Sequence, residues 1–492
     1  MDAGSGRVMR GFLGMQRERV RLGWRRIVGV TGVAAVLGLS ACGGGGGGGS
    51  SGSGSASDPG SGSGTDSVCT AQASRTFLWL EFRESYLWKS LRPDVDPAPE
   101  QSVDAYFRAS LWKGGESTPS IPADRYSGYQ STEAYNRFFG EGNTLGYGLA
   151  VAGQEIRGRP DLPLWIRDVT PGSPAALAGL QRGDRVLELN GRSAEAVVAA
   201  DDFSALTSDT EGQTLRIRVD RAGQSRSATI TSAVHAVNPV RHWRVLTLAD
   251  GRKVGWLRYH SMISLADAQL TDIFTRFRDE GVVSVILDLR YNGGGSVAVG
   301  QRLASHMAGN GVDGQLYAEL RYNEQQQSRN ARYRFAHLLG WQGVRTVYVL
   351  TGSRTCSASE QVISGLQGVG IDVVTIGSTT CGKPVGFSPV SYCGTTYSIV
   401  NFESINARGV GGYYNGFAAR CAVAEDFRVS LDDPAEPLTA AALGHVQGRG
   451  CPAVGSSLTA QAATDRRALS AVDRSRPPLV DGPEVPGWMT PP

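Results

Sequence analysis

Beyond residue 41 the chain has no basic tract. Nowhere does it show a C-x-x-C or H-x-x-x-H spacing, or an apolar run long enough to cross a bilayer. Each absence removes a class of function. Lys and Arg total 49 against 46 Asp and Glu, yet seven of the arginines fall within residues 1–41 beside only Asp2 and Glu18. Without that stretch the balance is 42 basic to 44 acidic residues, so the body offers no footprint for a nucleic-acid partner. The missing cysteine and histidine spacings argue against a zinc site, and no motif implies any metal or organic cofactor. The charged fraction is only 19%, against 41% hydrophobic, as expected of globular domains.

What is present begins with a leader. Arg25-Arg26 precede "IVGVTGVAAVLGL", thirteen apolar or small residues, too few to span a membrane but suited to a signal-peptide core over residues 1–41. The run 39–42, Leu-Ser-Ala-Cys, resembles the lipobox of bacterial lipoproteins, which implies lipidation of Cys42; an ordinary signal is the alternative. Gly43 in place of Asp points to the outer membrane, facing the periplasm of a bacterial cell envelope. A Gly/Ser tether follows to about residue 67, of which 43–64 has a coil reach of roughly 25 Å. With Cys42 acylated, Cys69, Cys356, Cys381, Cys393, Cys421 and Cys451 remain, an even number that favours disulfides in an exported protein. Fifteen pairings are open to them.

The body divides by rhythm. Residues 68–140 read as a helical N-terminal region, with Phe77, Leu80, Glu84 and Leu87 at helical spacing and a second helix opened by Pro and Ser. Residues 141–236 form a β-rich module. There Ser173, Pro174 and Gly179 bracket a short helix, and Asn190-Gly191 reads as a hairpin turn. The run "VTPGSPAALAGLQRGDRVLELNG" resembles a PDZ domain. In such domains the place of Gly146, Tyr147, Gly148 and Leu149 is that of the loop whose N–H groups cradle a peptide carboxylate. Residues 237–452 alternate buried strands ("VVSVILDL", "TVYVLTG", "IDVVTIG") with amphipathic helices, an α/β layout. Residues 453–492 turn polar and Pro-rich, the composition of a disordered tail.

Three stretches of 237–452 carry chemistry. In "TCSASEQ", Ser357 and Glu360 have the spacing of a helix capping box. A serine between a buried strand and a helix N-terminus also sits where negative charge is stabilised, so Ser357 is a candidate nucleophile and Ala358 N–H an oxyanion donor. Ser359 points elsewhere on the helix and is the weaker candidate. In "DLRYNGGGS", 288–296, the glycines let backbone approach a reacting carbonyl, with Gly294 or Gly295 as second donor. In "STTCGKPVGF", Lys383 has apolar neighbours; a lysine acts as general base only when neutral, which burial favours.

The PDZ-like module, "DLRYNGGGS", "SASE" and a Gly-Lys whose lysine lies 26 residues past the serine together resemble the carboxy-terminal processing peptidases of serine family S41. The resemblance implies a multidomain α/β protein with a crotonase- and Clp-protease-like peptidase domain of ββα units. It implies cleavage of proteins near free C-termini by a Ser357–Lys383 dyad, with Glu360 orienting the lysine or capping the helix. Many relatives have glutamine four residues after the lysine; Phe387 stands there, so the lysine's third partner is open. Tricorn-type relatives use a histidine base, which makes His260 the rival to Lys383. A catalytically inactive peptide-binding lipoprotein is the alternative function. Cys356 and Cys381 flank the dyad, so a disulfide between them would brace or gate the site. Oligomeric state is left open.

Overall fold

The computed structural model describes residues 69–153 and 161–453, and the backbone of 488–490. The leader, Cys42 and the tether lie outside the described residues, as does most of 453–492.

Residues 237–452 are organised on a six-stranded sheet. Its order is Val240–Thr247, Lys253–Tyr259, Val282–Asp288, Thr346–Thr351, Asp372–Gly377 and Cys421–Ala422. The first pair is antiparallel and the rest parallel. Both faces are covered, which is why the strands read as unbroken apolar runs. Val285, Leu287, Val347 and Val349 face helices Asp267–Asp279, Val297–Ala308 and Ala358–Gly368. Ile286, Tyr348, Leu350 and Ile376 face helix Pro437–Val446. Parallel strands bring their C-terminal ends to one edge. Asp288 and Thr351 therefore deliver the glycine loop and the Ser357 turn to the same place.

The β-rich module is an antiparallel sheet, ordered Leu149–Ala152, Leu164–Val169, Arg185–Leu189, Thr214–Arg221, Gln224–Thr231. Ser173 caps helix Pro174–Leu177, and Asn190 and Gly191 both take positive φ, as the hairpin turn requires. Arg182 locks this module to the α/β region 237–452. Its guanidinium donates to Tyr291 Oη at 2.9 Å and Val429 O at 2.9 Å.

The N-terminal region differs from the sequence reading in two ways. Helix Ala71–Glu84 stops before Tyr86, and its buried face is Leu78 and Phe82, while Leu80 is 43% exposed. The aromatics past Glu84 are buried from a turn, not a helix. The region also shares its core with the α/β region: Leu78, Phe82, Tyr86, Trp88 and Tyr126 pack with Val385, Tyr397, Ile399 and Val400. Strand Gly128–Ser131 pairs with Thr395–Ser398, and Cys69 is bonded to Cys393. The other disulfides are Cys356–Cys381 and Cys421–Cys451. Among the described residues no helix is long and apolar enough to cross a membrane.

Candidate active site

Ser357 sits on the turn between strand Thr346–Thr351 and helix Ala358–Gly368, with φ +59° and ψ −118°. Such a conformation costs a non-glycine residue on the order of 1–3 kcal/mol and persists only where its surroundings impose it. Here Cys356 does so, through its bond to Cys381 and its N–H donated to Asn292 O at 3.1 Å. Glu360 reaches back to accept from Ser357 N–H at 3.0 Å. The Oγ of Ser357 faces the first turn as in a capping box, yet it is buried and has no hydrogen-bond partner among the described residues. A buried hydroxyl left unsatisfied costs about 1–3 kcal/mol, so the turn is not arranged for stability alone.

Glu360 joins the Ser357 turn to Lys383. It is wholly buried and accepts from Ser357 N–H, Gly382 N–H and Lys383 N–H, and from Thr380 Oγ1. Burial pushes its carboxyl up, and these donors, led by Thr380, oppose the shift. One oxygen, Oε2, takes both Ser357 N–H at 3.0 Å and Lys383 N–H at 2.8 Å, so the two nitrogens lie at most about 5.8 Å apart. Glu360 thus caps the helix and also binds the Lys383 main-chain N–H.

Lys383 is one of only four lysines in the chain and is fully buried. Desolvation brings its amine down to about 7, against the attraction of Asp124 and Glu360. The Phe387 ring centroid lies 4.3 Å from Nζ, so Phe387 supplies an aromatic wall to the lysine.

The rest of that wall comes from residues the sequence reading did not single out. Tyr126 Oη donates to Gly382 O at 2.7 Å, and Arg125 to Cys381 O at 3.0 Å. Asp124 accepts from Tyr86 Oη at 2.8 Å and from Tyr126 N–H at 2.8 Å. An acidic residue beside two aromatics in a helical region carries no motif; only tertiary packing brings "DRYS", 124–127, against the lysine.

In the glycine loop, Gly294 and Gly295 have φ of +107° and +142°. A Cβ on Gly295 would lie 2.2 Å from Met262 O, so glycine is required there. Gly294 N–H is donated to Asn292 Oδ1 at 2.8 Å, so of the two glycines Gly295 is the candidate for the second oxyanion donor. Ser359 Oγ lies 2.9 Å from both Asn292 O and Asn292 Oδ1, so this second serine braces the loop. His260 follows strand Lys253–Tyr259 and acts electrostatically on Asp168 of the β-rich module. In the Gly146–Leu149 loop, Tyr147 is buried and Gly146 and Gly148 have positive φ, while Leu149 opens an edge strand of the sheet. Among the described residues two groups have metal-ligand geometry, Cys356/Glu360/Cys381 and Cys421/His445/Cys451, but their cysteines are taken up in disulfides.

Residues 253–403 match the model of peptidase family S41, and residues 165–221 that of a PDZ domain. Similar proteins include carboxyl-terminal-processing peptidase 1, chloroplastic, of Arabidopsis thaliana. It is 27% identical over 299 residues, which cover 60% of this chain and 58% of that protein. The carboxyl-terminal-processing protease of Picosynechococcus sp. is 26% identical over 159 residues, 32% of this chain and 38% of that protein. The chain thus spans less than two thirds of the length of these curated relatives. A Bacteroides fragilis crystal structure described as an S41 protease superposes with a TM-score of 0.59 at 25% identity, covering 76% of this chain and 97% of that one. The chain is therefore a mixed α/β protein carrying a PDZ domain and an S41 peptidase domain, the fold expected from its sequence.

Proposed function

We propose that this chain, with its S41 peptidase domain, is a serine endopeptidase of the carboxy-terminal processing type working through Ser357 and Lys383. The observation that carries the reading is the buried Lys383 amine, near half-neutral at pH 7 and tied through Glu360 to the turn that bears Ser357. A neutral Nζ takes the Ser357 proton as Oγ attacks the substrate carbonyl. The oxyanion that forms meets the N–H groups of Ala358 and Gly295, fixed in advance at a helix N-terminus and a glycine turn. Collapse expels the amine leaving group with the proton returned from Lys383, and water then hydrolyses the acyl-enzyme. The PDZ domain holds the substrate's free C-terminus, its carboxylate at Gly146–Leu149 and its backbone on the sheet edge. An anchor at Cys42 would hold this body on the periplasmic side of the outer membrane.

The test uses the chain from residue 68 onward with unfolded substrates that have free C-termini. Cleavage is expected, with loss of at least a thousandfold in Ser357→Ala and in Lys383→Ala. Turnover surviving in Lys383→Ala but lost in His260→Ala would transfer the base to histidine. Peptide binding with no cleavage by the unmodified chain would leave a binding protein.

A further inference from the structure

The glycine strand Gly294–Ser296 has two edges. One is closed by Met262, whose N–H donates to Gly294 O at 2.9 Å and whose O accepts from Ser296 N–H at 2.9 Å. The other edge is occupied by the chain itself. Trp488–Thr490 pairs with it in parallel, in the register Gly294 to Trp488, Gly295 to Met489 and Ser296 to Thr490. The same segment comes within 8 Å, Cα to Cα, of helix Ala358–Gly368, which follows Ser357, and of strand Val385–Gly386, just past Lys383. Their backbone therefore runs between the three segments that carry the nucleophile, the base and the oxyanion donor.

The register has a chemical consequence. Polar groups of successive strand residues point to opposite edges, and Gly294 O and Ser296 N–H are both spent on Met262. Gly295 N–H and O must then face the segment, and in a parallel ladder a residue paired with Met489 bonds the flanking Trp488 O and Thr490 N–H. The Trp488 carbonyl is thus set against the one glycine N–H that remains for an oxyanion.

We infer that Trp488–Thr490 is an internal substrate of the site, and that the chain severs its own Trp488–Met489 bond. Ser357 Oγ bonds to the Trp488 carbonyl carbon as its proton passes to Lys383. The C–N bond then breaks, the proton goes to the Met489 nitrogen, and water releases Trp488 as a new carboxylate. The described pairing covers three residues, so the segment is held weakly enough to leave after cleavage.

This inference rests on the proposed peptidase activity, and intact-mass spectrometry of freshly folded chain from residue 68 separates the two. The expected result is time-dependent loss of everything after Trp488, at a rate independent of protein concentration. Ser357→Ala should remain whole, and Met489→Pro should slow the cut at least tenfold. In the Ser357→Ala background, hydrogen exchange at the Gly295 amide should be at least tenfold faster when Thr490→Pro, which removes a ladder N–H, is added. A chain that cleaves added substrates but keeps its own Trp488–Met489 bond overturns the inference and leaves the peptidase reading standing. A chain that does neither overturns both.

Discussion

Replacing Lys383 by methionine should abolish cleavage and make the protein more stable. A free lysine amine titrates near 10.4, and this one titrates near 7, so at pH 7 about half of it is neutral. An unperturbed lysine would be neutral in only about one molecule in 2,500, so burial raises the population of the working base on the order of a thousandfold. The cost falls on folding. The folded pKa lies below the unfolded one, so between about pH 10.5 and pH 7 the unfolded chain binds a proton that the folded chain does not. Stability is lost as pH falls through that window and levels off below it, by on the order of 5 kcal/mol in all. Methionine has similar volume and no charge to desolvate. The assay is denaturant unfolding of Ser357→Ala and Ser357→Ala/Lys383→Met, in which self-digestion is absent from both. At pH 7 the double variant should be more stable by several kcal/mol, and the gain should shrink toward pH 10.5. In parallel, kcat/KM of the unmodified enzyme should rise about tenfold per pH unit below pH 7 and flatten above it. No gain in stability, a gain that ignores pH, or a rate limb displaced to pH 9 or above would refute the desolvated-amine argument.

Three other outcomes are expected. Gly295→Ala places a Cβ 2.2 Å from Met262 O and distorts the oxyanion loop; kcat should fall about a hundredfold or more while circular dichroism reports a folded protein. Opening the Cys356–Cys381 bridge, by reductant or as Cys356→Ala/Cys381→Ala, should cost about 3 kcal/mol for its short loop and lower kcat. Activity indifferent to reductant, with the free thiols counted, would remove the brace. Glu360→Gln presents an NH2 to donors that now meet two carboxylate oxygens, so kcat and stability should drop together, stability by about 2–4 kcal/mol in urea. An unchanged variant would mean that this bracket does not hold Ser357 and Lys383 in register.

Much of this molecule was open to reading because its signals are local. Ser173-Pro174, Asn190-Gly191 and the alternation of Thr214–Arg221 report backbone geometry over a few residues, and they gave the PDZ module. The unbroken apolar strands reported two-sided burial, and each motif after them fell at a strand end. Tertiary structure decided what depends on partners distant in sequence. The Ala71–Glu84 helix buried a different stripe because its partners are Val385, Tyr397 and Val400. The lysine's pocket needed Asp124 and Tyr126, which lie some 260 residues before it. Gly294 gave up its N–H to a side chain two residues back, a choice that no glycine count could reveal. Trp488–Thr490 sits in a stretch whose composition speaks for disorder, since three residues of edge pairing leave no periodic trace. Sequence alone determined which groups could react. The folded chain decided which are dry, which are already spoken for, and which face one another, because desolvation and hydrogen-bond competition belong to the packed state.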